Sequence, residues 1–80
     1  MRKSAHSPAY KALCERLVAA RQAAGLTQVQ LARKLNRPQS FVAKYEGGER
    51  RIDLIEFLEI VEILGQDYRR IIRAIHDKAR

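Results

Sequence analysis

The sequence predicts an all-α domain of five short helices. Apolar residues recur at helical spacing along most of the chain. No segment alternates apolar and polar residues for long enough to make a strand, and Val, Ile and Thr are sparse before residue 52. Gly, Pro and Asn fall at the points where helices of ordinary length would end.

Residues 1–8 carry Arg2 and Lys3 among Ser4, Ser7 and Pro8, and read as a flexible basic arm. A first helix is predicted from Ala9 to Ala24, with Tyr10, Leu13, Cys14, Leu17, Arg21 and Ala24 on one face, apolar except at Arg21. Gly25 follows it, where a left-handed residue closes a helix at little cost. Thr27 is the N-cap of a second helix that runs to Leu35 and turns Leu31, Ala32 and Leu35 inward. Asn36 tolerates the left-handed region, and Pro38 drives Arg37 out of the helical basin. A third helix then runs from about Gln39 to Glu46 with Val42 and Tyr45 inward, and Gly47-Gly48 ends it. Asp53 with Glu56 has the spacing of a capping box for a fourth helix, which reaches Leu64 and stops at Gly65. Asp67 caps a fifth, Tyr68 to about Asp77, striped by Tyr68, Ile71, Ile72 and Ile75.

Eighty residues suffice for a single domain over 9–80, with residues 54–77 completing its core. The 46% apolar content is ordinary for a folded chain. One cysteine cannot form an internal disulfide, which suits a reducing compartment. No apolar run approaches the ~18 residues of a spanning helix. The segment after the arm is broken by Lys11, Glu15 and Arg16, unlike a secretory signal. A cytoplasmic protein with no membrane partner is expected. The net charge of +7 points to a polyanion, and it is unevenly placed. Residues 1–51 hold eleven basic and three acidic side chains, whereas residues 52–80 hold five and six.

Two helices joined by a three-residue turn inside the basic part raise a helix-turn-helix reading. A close crossing needs a small residue, and Ala32 supplies it; Leu31, Leu35, Val42 and Tyr45 supply the buried contacts on either side. The run Arg21-Gln22-Ala23-Ala24-Gly25-Leu26-Thr27-Gln28, then Leu31-Ala32, Pro38-Gln39-Ser40-Phe41-Val42, Lys44-Tyr45-Glu46 and Gly48-Glu49-Arg50, resembles the Cro and phage-repressor type of helix-turn-helix regulators, the XRE family. The resemblance covers about residues 10–65. Asn36 stands where the family often has Gly, and Pro38 replaces a more usual polar cap.

The resemblance implies a compact lambda-repressor-like domain whose third helix faces base edges in the major groove of double-stranded DNA. Gln39 is then the first candidate, since an amide can pair with adenine through donor and acceptor together. Ser40, Lys44 and Arg37 are the other candidate base contacts, while Phe41 is more easily placed as packing than against a thymine methyl. Gln28 is a candidate phosphate contact at a helix N-terminus, where free N–H groups favour anions. Arg50 and Arg51 join it because their loop would follow the backbone. Arg33 and Lys34 read as a solvated face. The family also implies an ion pair between Arg21 and Glu46, with Arg21 able to lend charge to a phosphate.

From Leu54 to Leu64, eight of eleven residues are apolar, and Glu56, Glu59 and Glu62 recur every three as a solvated row. That is more apolar surface than one small core needs. A homodimer is expected, built on Phe57, Ile60, Leu64, Ile71 and Ile75 and binding a palindromic operator, in the manner of a repressor. The alternative is the antitoxin of a toxin–antitoxin pair, which would bind a protein toxin and repress its own operon. No enzyme, cofactor or metal is expected. His6 and His76 have no ligand partner at metal spacing, and Cys14 falls on an apolar stripe.

Overall fold

In the computed structural model, the described residues are 7–79. They form α1 (Pro8–Ala23), α2 (Gln28–Leu35), α3 (Gln39–Glu46), α4 (Leu54–Leu64) and α5 (Tyr68–Ala79), with no strand among them. The basic arm expected over residues 1–8 lies outside the described residues except at its end, and there it is corrected. Ser7 is the N-cap of α1, accepting a hydrogen bond from the Tyr10 N–H at 3.1 Å, and Pro8 is the first helical residue. Proline suits that position because its missing N–H would have had no intrahelical partner.

The turns follow local chemistry. Gly25 has φ 75°, and Asn36 takes the left-handed region at φ 59°, ψ 43°, the one non-glycine residue to do so among those described. Asn36 thereby closes α2, and the extended Pro38 starts α3 with no side-chain cap. Thr27 and Gln30 form a full capping box on α2, as do Asp53 and Glu56 on α4. Asp67 accepts from the Arg69 N–H at 2.9 Å at the start of α5, which runs two residues beyond the predicted Asp77.

Helix α1 lies along α5, and α2 packs across α3; α1 also touches α3 and α4, and α2 touches α4. Leu17, Leu31, Val42, Tyr45 and Ile60 are fully buried at the centre, and Ala32 is buried beside them on α2. Ala20 takes the place expected of Ala24, which caps α1 and is exposed. Four of the five expected dimer residues are also corrected. Phe57, Ile60, Leu64 and Ile71 are buried in the core of the single chain, and Ile75 is half-buried. Helices α4 and α5 need this much apolar surface because both complete the core around α1.

Three polar groups lie inside the core, and two of them join elements distant in sequence. The Tyr10 hydroxyl donates to the Arg50 carbonyl at 2.7 Å and accepts from the Ile52 N–H at 3.2 Å, fixing the loop after α3 to α1. Burial pushes this phenol up to about 12. The Cys14 thiol donates to the Tyr45 carbonyl at 3.0 Å, and burial raises it as well. The Tyr45 hydroxyl is buried without a hydrogen-bond partner among the described residues. An unsatisfied buried hydroxyl costs about 1–3 kcal/mol. Tyr45→Phe, which keeps the edge-on contact with Phe41 at 5.4 Å, is therefore expected to stabilise the domain. A gain of about 1 kcal/mol would raise Tm by about 4–8 °C in a domain of this size. A lower Tm would show that the hydroxyl has a partner.

Candidate nucleic-acid interface

Helix α3 is eight residues long, and its two faces are chemically distinct. At 100° per residue, Gln39, Ser40, Ala43 and Lys44 fall within an arc of about 140°, and Gln39, Ser40 and Lys44 are exposed. Phe41, Val42 and Tyr45 occupy the opposite arc and are buried. The helix thus turns an amide, a hydroxyl and an ammonium outward on a base anchored in the core.

Behind this row a chain of polar contacts runs through three helices. Arg21 donates from Nε to Glu46 Oε2 at 2.8 Å and from Nη2 to Glu46 Oε1 at 3.1 Å. Its Nη1 donates to the Leu26 carbonyl at 2.8 Å, tying in the turn before α2. The side chains are 12% and 6% exposed, so this two-pronged pair is largely removed from water. Its bonds with Glu46 raise the Arg21 guanidinium above its ordinary range. Gln28 Nε2 donates to Glu46 Oε1 at 2.9 Å, and Gln39 Nε2 donates to Gln28 Oε1 at 3.2 Å. Gln28, expected at a phosphate, is half-buried and links Glu46 with Gln39 through one amide N–H and its carbonyl.

A second cluster sits at the other edge of α3. Glu56, expected in a solvated row with Glu59 and Glu62, is only 7% exposed, whereas the other two are on the surface. Its Oε1 accepts from Arg50 Nη1 and from the Asp53 N–H, both at 3.0 Å. Its Oε2 accepts from Arg50 Nη2 at 3.0 Å and Arg37 Nη1 at 3.3 Å. The guanidinium carbons of Arg37 and Arg50 lie 4.6 and 4.8 Å from the centre of the Phe41 ring. Phe41 is therefore covered by cations and packs, as the sequence favoured. Arg50 is largely occupied within the protein, while exposed Arg51 stacks over Tyr10 at 4.9 Å.

The bonds from Arg50, together with the Asp53 N–H and the charge of Arg37, hold the Glu56 carboxyl down to about 2, against the opposing effect of burial. A carboxyl depressed by folding contributes stability above its unfolded range and loses it as the pH falls through the folded value. Tm is expected to drop between about pH 4.5 and pH 2 through this group. Glu56→Gln should flatten that limb and leave the neutral region parallel to wild type. An identical acid limb in the variant would show that Glu56 is not its source.

Capping accounts for the position of Glu56 but does not predict two arginines on it; they come from 19 residues before and 6 residues before. Among the described residues no group of three or more His, Cys, Asp or Glu could hold a metal ion, and no helix is long and apolar enough to cross a membrane. His6 lies outside the described residues, and His76 is exposed on α5.

The helix-turn-helix domain family matches residues 12–71. Among solved structures, an XRE-family like protein from Pseudomonas syringae pv. tomato str. DC3000 is 43% identical and superposes with a TM-score of 0.81. The match covers 90% of this chain and 88% of that one. Among curated proteins no significant match is found.

Proposed function

The chain belongs to the XRE-type helix-turn-helix regulators, which bind DNA, and from that premise we propose that it is a sequence-specific cytoplasmic repressor that binds a palindromic operator as a homodimer. The observation that carries the reading is the outward row Gln39, Ser40 and Lys44 on α3, with the Gln39 amide held from behind by Gln28 and Glu46. Side chains oriented in advance lose little freedom on meeting base edges, so their hydrogen bonds discriminate more between sequences. Arg37 and Arg51, both exposed, are the candidate phosphate donors, and the excess positive charge of residues 1–51 supplies attraction to any duplex. Arg21 acts through Glu46 on the orientation of the row.

The dimer surface shifts from the buried residues to their exposed neighbours. Leu54, Ile55 and Ile72 are 64%, 62% and 40% exposed. A groove of about 200 Å³ lies between α4 and α5, lined by Leu13, Ile52, Leu54, Phe57, Ile72 and Ile75. A two-fold partner can cover these apolar side chains with its own copies of them.

Selection of bound duplexes from a random pool tests the function directly. The expected product is a palindrome with half-sites about 34 Å apart, or a multiple of that spacing. Its affinity should fall with salt at a log–log slope of about −0.9 per phosphate contacted. A pool that never enriches, or a single unpaired site, would overturn the reading. Sedimentation of Leu54→Asp should show a monomer where the wild type shows a dimer.

A further inference from the structure

We infer that Glu56 is a positioning residue for DNA binding: its carboxylate holds Arg37 and Arg50 on the Phe41 ring, with Arg50 as an internal brace and Arg37 as the cation presented to a phosphate. The inference rests on the DNA-binding reading and assigns a role to a side chain that belongs to neither the recognition row nor the core.

The geometry separates the two arginines. A carboxylate has about four acceptor positions, and four donors fill them: Arg50 Nη1, Arg50 Nη2, Arg37 Nη1 and the Asp53 N–H. Arg50 supplies two of these and gives a further hydrogen bond from Nη1 to the Arg51 carbonyl at 2.8 Å. It is therefore bonded through both terminal nitrogens. Arg37 makes one bond, of 3.3 Å, and its side chain is 37% exposed. Most of its five N–H groups remain for an outside acceptor. It sits in the turn that opens α3, two residues before Gln39, where the leading end of the helix would meet the wall of the groove.

The ring and the carboxylate act together. Two guanidiniums on one aromatic ring repel each other, and the buried carboxylate between them makes the arrangement stable. Because Asp53 and Glu56 also cap α4, the cluster ties the leading end of α3 to the start of α4.

A positioning group and a simple counter-charge predict opposite signs. As a counter-charge, Glu56 weakens attraction to every duplex, so Glu56→Gln would tighten selected and scrambled duplexes alike, by a factor of about three at low salt. As a positioning group, its loss frees Arg37, and the selected duplex should bind about tenfold more weakly while the scrambled duplex does not. The experiment titrates both duplexes with wild type, Glu56→Gln, Arg50→Lys and Arg37→Gln at several salt concentrations, after circular dichroism has shown each variant folded. Arg50→Lys keeps the charge but loses the two-pronged bond, so it should reproduce the fall in the ratio of the two affinities even if Glu56→Gln does not fold. Arg37→Gln should reduce the salt slope by about 0.9 per subunit, or about 1.8 for the dimer on its palindrome. Equal tightening on both duplexes, an unchanged ratio in the folded variants, or an unchanged slope for Arg37→Gln would overturn the inference. If wild type itself fails to distinguish the duplexes, it is the sequence-specific reading that fails.

Discussion

Replacing Glu46 with alanine is expected to destabilise the domain by about 3–5 kcal/mol, the cost of leaving one partner of a buried pair without its countercharge. The surroundings set the size. Arg21 is 12% exposed and would retain one acceptor, the Leu26 carbonyl, in place of three. Gln28 would lose its bond at the same time. A domain of this kind has about 5–15 kcal/mol in total, so a large share of its stability depends on one side chain. The ion pair between Arg69 and Asp67 provides the contrast. It is 3.3 Å long with side chains 73% and 41% exposed, and breaking it with Arg69→Ala should cost far less. Denaturant titration of both variants measures the difference. A loss below about 1 kcal/mol for Glu46→Ala would mean that water reaches Arg21 as freely as it reaches Arg69. Replacing both Arg21 and Glu46 by leucine should recover much of the stability, since the desolvation of two charges is removed with the pair. It should not recover the orientation of Gln28.

The helices were legible because their signals are local. The Asp53–Glu56 spacing, the left-handed Asn36 and the stop at Gly65 each act within four residues, and each appears where the spacing predicts. The inward side of α3, Val42 and Tyr45, was legible for the same reason, whereas its outward row came from the family resemblance. Glu56 was misread because periodicity records which face a residue occupies and not what approaches that face. Glu56, Glu59 and Glu62 share one spacing, but only Glu56 lies where a turn and a loop bring arginines from α3's two ends. Four of the five expected dimer residues went inward through a quantity a sequence does not display. Counting apolar positions on α4 shows an excess, but which of them α1 and α5 cover depends on how the helices cross. Phe57, Ile60 and Leu64 went inward, and Leu54 and Ile55 at the start of the helix remained outside. Gln28 shows the same limit. The free N–H groups at a helix N-terminus do suit a phosphate, but nothing local to Gln28 shows that the Glu46 carboxylate takes one of its two amide N–H groups at 2.9 Å.

Gln39→Ala is expected to have the largest effect on function, because the proposed homodimer would make the contact twice. One amide paired with adenine discriminates by about 1–3 kcal/mol, and two such contacts give roughly 30-fold to 10⁴-fold on a palindromic duplex. The structure favours a full contribution from each. Gln39 uses one N–H on Gln28 at 3.2 Å, which leaves its second N–H and its carbonyl for the two positions adenine presents in the major groove. Gln28 is held in turn by Glu46, so the amide is oriented before DNA arrives. Three results would follow. Preference at one base pair in each half-site should disappear, affinity for scrambled DNA should stay the same, and the salt slope should not change, because a neutral side chain releases no counterions. Gln28→Ala should lose part of the same preference at the same base pair. The double variant should then lose less than the two single losses combined, since with Gln39 gone Gln28 has nothing to orient. Additive losses would separate the two glutamines and place Gln28 on a phosphate of its own. A uniform weakening on every sequence by Gln39→Ala would remove Gln39 from the reading of bases and leave Ser40 and Lys44 to carry it.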